Sequence, residues 1–401
     1  MKSRISAGLC LASLLFLAGC KGFWDLPPST PSNPTTPTTL SSGVFYVLDQ
    51  TTKEVVGYSI SSGTLSAISG GTQTLSAAPF SIAVAPNGGF LYVGTVSGIY
   101  LYTIGSGGAL SIGNNGAAIA SDIPASMVIS GSWLVDAFNV STTSVEINAI
   151  PIDAATGVYT GAGGAPPSQT FTVGNTPVVK QMVLSPDSAN LFVALGTSGT
   201  IVVPFASGNA NPLGATATTI PLANSSGSAL SVAVDPSTTP RLFYIGETNA
   251  VTVSGAGSGG LRAFNYSSLG SATLTQATGS PMPSGGLSPN AILPVATGDY
   301  VYVANGTGDT AAGNIAWFPI TASGTTYTVA VGKTVTSGIE PSGLTEDSTS
   351  NFVLAVSTGG STNSGDPDLE AYTISSGALT AALTSATGTD PVGALAIAAL
   401  P

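Results

Sequence analysis

The feature that most constrains the fold is an internal repeat. The stretch PFSIAVAPNGGFLYV (Pro79–Val93) aligns without gaps with PNAILPVATGDYVYV (Pro289–Val303) and with PSGLTEDSTSNFVLA (Pro341–Ala355). Leu184–Val193 matches its second half, Ser231–Ile245 matches with one inserted residue, and Pro124–Asp136 matches with a shortened turn. Each copy reads as a short apolar strand, a polar turn and a second strand. A third strand follows seven times: EVVGYSI, GIYLYTI, VEINAIPI, GTIVVPF, GLRAFNY, NIAWFPI and DLEAYTI. A weaker fourth strand often opens Gly-x-Leu, as in GTLSAI and GALTAAL. The unit is about fifty residues of four antiparallel strands, which is one blade of a propeller.

The ends of the repeat region decide between a closed ring and an open stack. The region begins at GVFYVLD (Gly43–Asp49), which matches the second strand of the unit, and ends at Pro391–Leu400, which matches the first. The last segment therefore supplies the strand that the first blade lacks, closing the ring and removing a free sheet edge. An open solenoid would need distinct capping repeats instead. Closure also explains why GYSISSGTLSAIS (Gly57–Ser69) returns as AYTISSGALTAAL (Ala371–Leu383). Both are the third-to-fourth-strand corner, in blades one and seven, and those blades are ring neighbours. The expected fold is all-β: a seven-bladed propeller of four-stranded antiparallel blades. A composition of 43% hydrophobic residues with 51 Gly supports short buried strands between tight turns.

The pattern P-x-x-h-x-h-x-P-x-G-x-F-L-Y-V, followed by Y-T-I and G-x-L, resembles the seven-bladed lactonase-type, YVTN-like propellers. The resemblance spans roughly residues 43–401 and implies that fold. It also implies action on lactones, some phosphorylated, or cycloisomerisation. The repeated residues build blades rather than a reaction centre, so activity has to be argued from a site.

The first residues read as a targeting segment. MKSRISAGLCLASLLFLAGC has Lys2 and Arg4, an apolar run, and small residues before Cys20. The run is too short, with the wrong flanks, for a spanning helix. The ending LAGC resembles a bacterial lipobox, which implies cleavage before Cys20 and a lipid on its sulfur; the alternative is an ordinary secretory signal with an incidental cysteine. The expected organisation is a signal peptide at 1–19, a lipidated cysteine and tether at 20–42, and the propeller at 43–401. Pro27–Ser42 is rich in Pro, Ser and Thr and reads as a semi-extended tether. Phe23 and Trp24 stand where aromatics could meet the membrane interface. The expected location is outside the cytoplasmic membrane, at the outer membrane because Lys21 rather than Asp follows Cys20. Six basic residues would remain against 19 acidic ones, a balance that disfavours nucleic acid as a partner. The expected partners are the membrane, through Cys20, and an envelope protein, a glycan or a lactone.

The sequence has no His, which excludes a Ser-His-Asp triad and His-ligated metal. Once Cys10 and Cys20 are set aside, the propeller has no thiol chemistry. No cofactor is expected. The basic residues of the propeller are Lys53, Lys180, Arg241, Arg262 and Lys333, few for a phosphosugar substrate. Lys180 and Gln181 fall at the start of an inner strand, near the channel, where a Lys holds an anion or else snorkels at the surface. Glu247 and Arg262 are the catalytic candidates: a carboxylate to activate water and a cation to polarise a ring carbonyl. The alternative is that the two simply pair within their blade. Asn305 and Asp309 are ligand-binding candidates in a long loop; Asp49, Glu247 and Asn305 share one register, which turn capping also explains. Asp366, Asp368 and Glu370 alternate in GDPDLE and offer hard oxygen ligands to Ca²⁺, although the motif is not an EF-hand and a solvated acidic run explains it too. Glu346 and Asp347 are expected to mark an inner strand turning into solvent. Three enlarged loops, Gly246–Gly259, Ala304–Gly313 and Ser357–Pro367, suggest a ligand on the side of blades five to seven, the opposite face having tight turns with little concavity. Two functions follow: a ligand- or protein-binding module, or a lactone hydrolase. The discriminating feature is whether Glu247 and Arg262 converge with Lys180 at one channel mouth.

Overall fold

The computed structural model describes residues 43–401 apart from 62, 162–163, 254–255, 272, 308–310, 331, 360–366, 385–390 and 392. Seven antiparallel sheets form the blades. Their innermost strands are Ala394–Ala399 in blade 1, Pro79–Val84 in blade 2, Ser126–Ser130 in blade 3 and Gln181–Leu184 in blade 4. Ala229–Val234, Ser288–Pro294 and Pro341–Glu346 serve blades 5, 6 and 7. Each innermost strand packs on the next, and the seventh packs on the first. The ring closes as the repeat requires: Ala394–Ala399 pairs antiparallel with Gly43–Asp49, with Phe45 opposite Ala399 and Val47 opposite Ile397.

The second strands are apolar on both faces because each blade is packed on both sides. All seven residues of Gly43–Asp49 are buried, as are all six of Phe90–Thr95. Alternate side chains serve opposite seams. In blade 4, Leu191 and Val193 pack against Val135 and Ala137 of blade 3, while Phe192 packs against Val232 and Phe243 of blade 5. A short continuous apolar run is what such doubly covered strands look like in sequence.

In three blades a second-strand Tyr and a corner glycine of the next blade are two halves of one contact. Tyr46 donates its hydroxyl to the Gly108 carbonyl in the next blade at 2.9 Å, and Tyr92 does the same to Gly157 at 2.9 Å. Tyr302 reaches Gly377 at 3.1 Å. These glycines have φ of 85°, 72° and 78°, a region that L side chains avoid. At Gly108 a Cβ would stand 2.8 Å from Ile68 and 2.9 Å from Val44. The corner thus needs Gly for its backbone and for the closeness of the neighbouring blade. Burial pushes the Tyr46 and Tyr92 hydroxyls well above the ordinary phenol range, so both remain donors.

A second set of bonds stitches the inner strands. Ser81 donates to the Pro124 carbonyl at 3.0 Å, Ser231 to Pro289 at 2.6 Å and Ser342 to Ala394 at 3.1 Å. Ser126 accepts from the Met182 amide and Gln181 from the Val232 amide, at 2.9 and 3.0 Å. Asn290 donates to Pro341 at 3.0 Å, and Gln50 to Pro79 at 3.3 Å. Every seam of the ring carries one such bond.

Blade 6 departs from the simple unit. Its third strand, Ala312–Ser323, pairs along one half with Thr326–Val329 and along the other with Lys333–Ile339, so its outer edge is made in two pieces. The acids at the end of the blade 7 inner strand also differ from expectation. Glu346 is half-buried and accepts from the Ala296 amide at 3.0 Å. Asp347 is buried and accepts the amides of Thr349, Asn351 and Phe352. It caps a tight turn from inside rather than facing solvent.

Candidate functional site

The innermost strands of all seven blades enclose a central cavity of about 400 Å³. Its polar lining includes Ser81, Ser126, Lys180, Gln181, Asn290 and Ser342, with Phe80 and Met127 among the apolar groups. No described Asp or Glu lines it. The seam bonds already engage the side chains of Ser81, Ser126, Gln181, Asn290 and Ser342. Lys180 is different. Its backbone amide is held by the Ala194 carbonyl at 2.9 Å, it is exposed, and its ammonium has no partner among the described residues. Of the other described cations, Arg241 pairs with Asp235 and Arg262 with Glu247. The cavity thus presents one uncommitted positive charge in a wall of hydroxyl, amide and apolar groups.

Glu247 and Arg262 do not join Lys180. Neither lines the cavity. Glu247 is 1% exposed; its Oε1 lies 2.6 Å from Arg262 Nη1, and its Oε2 accepts the Ala223 amide at 2.8 Å. Arg262 also donates to the Pro221 carbonyl at 2.7 Å and lies 4.8 Å over the Phe264 ring. The pair fastens the blade 4 to blade 5 connection onto blade 5.

Asn305 is fully buried and donates to the Ser284 carbonyl and to Asn314. Asp309, Asp366 and Cys20 lie outside the described residues. Asp368 accepts the Gly393 amide at 2.7 Å; Glu370 accepts the Gly338 amide at 3.0 Å and the Tyr372 hydroxyl at 2.6 Å. No three acidic side chains gather as a metal cage among the described residues. The blade 5 loop is a projecting hairpin, Leu242–Val253 paired with Ala256–Asn265, with Asn249 bonded to the Ser226 carbonyl at 3.2 Å. No described residue of the three enlarged loops lines the central cavity.

Exposed apolar groups lie both in these loops and beyond them: Val253 is in the blade 5 hairpin and Leu287 in the connection to blade 6. Phe80, Val96, Ile123, Val140 and Val178 are exposed. They occupy inner-strand starts, second-to-third-strand turns and blade connections of blades 2 to 4, one end of neighbouring blades by the strand alternation. Lys180 is at the same end. The opposite face also has more relief than its tight turns suggested. One cavity of about 460 Å³ lies among Pro86, Ser130, Gly131, Ser185 and Ser188, and another of about 290 Å³ among Asp299, Tyr300, Glu346 and Gly377.

One group escaped the sequence reading. Asp136 is fully buried at a second-strand position that holds Val93, Val193, Ile245, Val303 and Ala355 in other blades. The signal was an acid in an otherwise aliphatic column of the repeat.

The architecture is that of a seven-bladed β-propeller, and the solved structures most like it include lactonase-like proteins. A periplasmic gluconolactonase of Pseudomonas aeruginosa superposes with a TM-score of 0.65 at 18% identity, covering 90% of this chain and 99% of the other. A Bacteroides fragilis protein described as a candidate 6-phosphogluconolactonase gives 0.64 at 14%, covering 91% and 99%. A Lactobacillus plantarum protein gives 0.60 at 16%, covering 90% and 100%. These likenesses show the fold. No family model and no curated protein matches the sequence.

Proposed function

We propose that this chain is an envelope lipoprotein whose propeller binds a small polyhydroxylated ligand of at most one negative charge at the channel mouth beside Lys180. The single observation that carries this reading is the Lys180 ammonium, without a partner among the described residues, in a cavity wall whose described residues include no carboxylate. Hydroxyl and amide groups suit a sugar-like ligand, a lone ammonium suits one carboxylate, and Phe80 offers a face for an apolar edge. Hydrolysis needs a positioned base, and the only described carboxylate beside a described cation on this side of blade 5, Glu247, is buried against Arg262.

The second reading is lactone hydrolysis, favoured by the names of the Pseudomonas and Bacteroides neighbours. Turnover of gluconolactone above the spontaneous rate decides between them. The binding reading expects none, with gluconate or a related aldonate raising the melting temperature. Turnover that survives purification and disappears in Lys180→Met would replace it with catalysis. Anchoring through Cys20 is tested separately: Cys20→Ser should release the chain from membranes or leave it unprocessed, and unchanged fractionation and mass would remove the lipid anchor from the account.

A further inference from the structure

Blade 3 carries a buried acidic centre that the proposed binding site does not use. Asp136, on strand Trp133–Asn139, is fully buried, and both carboxylate oxygens lack a hydrogen bond of ordinary geometry. Asn148 stands directly opposite it on the third strand Ser144–Pro151; it is 4% exposed, and its Oδ1 is also without a partner. Asp122, in the connection from blade 2, bonds the Asn148 side chain. Glu146, two residues before Asn148, adds a further negative charge to the surroundings of Asp136. Burial first, then the charges of Asp122 and Glu146, drives the Asp136 carboxyl well above the usual carboxylate range.

The sequence provides nothing to neutralise this centre. Residues 79–172, which build blades 2 and 3, contain no Lys, Arg or His. Equivalent third-strand positions in other blades are served by protein atoms. In blade 5 that position is Arg262, paired with Glu247; in blade 7 it is Glu370, held by the Gly338 amide and the Tyr372 hydroxyl. Among the described residues, only blade 3 gathers three side-chain oxygens that lack a hydrogen bond of ordinary geometry, two from Asp136 and one from Asn148, with the Asn148 and Asp136 amides offsetting the Asp136 charge only in part. A single proton on Asp136 would give Asn148 Oδ1 a donor but leave the other carboxylate oxygen to the backbone amides alone, with the charge of Asp122 still beside it. A cation satisfies all three at once, and a divalent one offsets the charges of Asp122 and Asp136.

We infer that the seam between blades 2 and 3 is a cation site, with Asp122, Asp136 and the Asn148 amide oxygen as ligands for a hard divalent cation of the calcium class. Two carboxylates and an amide carbonyl are oxygen donors of the kind Ca²⁺ accepts, with water or backbone carbonyls completing its shell. Mg²⁺ dehydrates reluctantly and demands stricter geometry, so it should bind less well in so dry a place. The affinity expected of an extracellular structural site is on the order of 10⁻⁴ to 10⁻³ M.

The test is thermal unfolding of the purified full chain after chelation, with and without millimolar CaCl₂ or MgCl₂. Calcium should raise the melting temperature by a few degrees, magnesium by less. Asp136→Val, which restores the residue type of the neighbouring blades, should fold without the cation and abolish the calcium response. Asp122→Asn should weaken the response at least tenfold in calcium concentration, and it guards against a misfolded Val variant. A wild-type chain indifferent to calcium but stabilised by acidification toward the carboxylate range would show a protonated Asp136 and overturn the inference. So would a calcium response that persists in both variants.

Discussion

The pair Gly107 and Gly108 allows the blade-to-blade contact to be separated from backbone conformation. Both sit in one corner with positive φ, 75° and 85°. A Cβ on Gly107 meets nothing within 4 Å, whereas one on Gly108 meets Ile68 at 2.8 Å and Val44 at 2.9 Å. Either change to Ala forces an L residue into the left-handed region, at about 1–2 kcal/mol. Only Gly108→Ala adds overpacking, at about 1–3 kcal/mol. It also threatens the Tyr46 hydroxyl bond to the Gly108 carbonyl, for which a net value near 1 kcal/mol is ordinary. The expected losses are therefore about 1–2 kcal/mol for Gly107→Ala and about 3–6 kcal/mol for Gly108→Ala. For a domain of roughly 360 residues, with unfolding entropy near 2.1 cal/mol/K per residue, each kcal/mol lowers Tm by about 1.3 °C. Gly107→Ala should then melt about 1–3 °C below wild type and Gly108→Ala about 4–8 °C below. Differential scanning calorimetry resolves that gap. Equal shifts would mean that the corner is glycine for its dihedral alone, and that the Tyr–Gly contact does not explain the repeat.

Deleting Pro391–Pro401 removes the inner strand of blade 1 and its pairing with Gly43–Asp49; the truncated chain should lose its cooperative melting transition, as circular dichroism would report. Glu247→Gln should destabilise by about 3–5 kcal/mol, because Arg262 is left buried without its partner, and adding Arg262→Met should recover a large part of that loss in urea titrations. In chelated buffer the gap in stability between wild type and Asp136→Val should widen as pH rises from the carboxylate range. The raised carboxyl of folded Asp136 keeps its proton after the unfolded chain has released it, so wild-type stability falls with pH between the two values. A constant gap across pH would rule this out.

Ring closure, blade number and strand order were legible because they rest on patterns that one repeat shares with the next. A blade is defined by apolar runs and turns, and their offset at the two ends states the closure directly. The candidate site was less legible because pairing in space is decided by registers several strands apart. Glu247 and Arg262 lie in one blade, and the sequence allowed either mutual pairing or convergence with Lys180; the fold brings them into a buried ion pair. Gln181 lines the channel, where its Oε1 holds the Val232 amide of the next blade. Long loops suggested blades 5 to 7, yet no described residue of them lines the central cavity, because a loop insertion can extend a hairpin, as at Val251–Ser258, without shaping a cavity. Asp136 was missed although it is an acid in an aliphatic column, and only the packed seam shows that no described basic residue reaches it.

The most direct measurement of the central claim is calorimetric titration of gluconate into the full chain and into Lys180→Met. Lys180 has no partner among the described residues, so its loss should leave the melting temperature unchanged. A charge-assisted bond to a carboxylate is worth about 1.5–3 kcal/mol, so binding by the variant should weaken roughly tenfold to a hundredfold. Saturable gluconate binding in wild type that falls by that factor in Lys180→Met is the predicted result. Equal affinity in the two proteins, or no binding in wild type, would contradict the account and move the ligand away from the channel mouth.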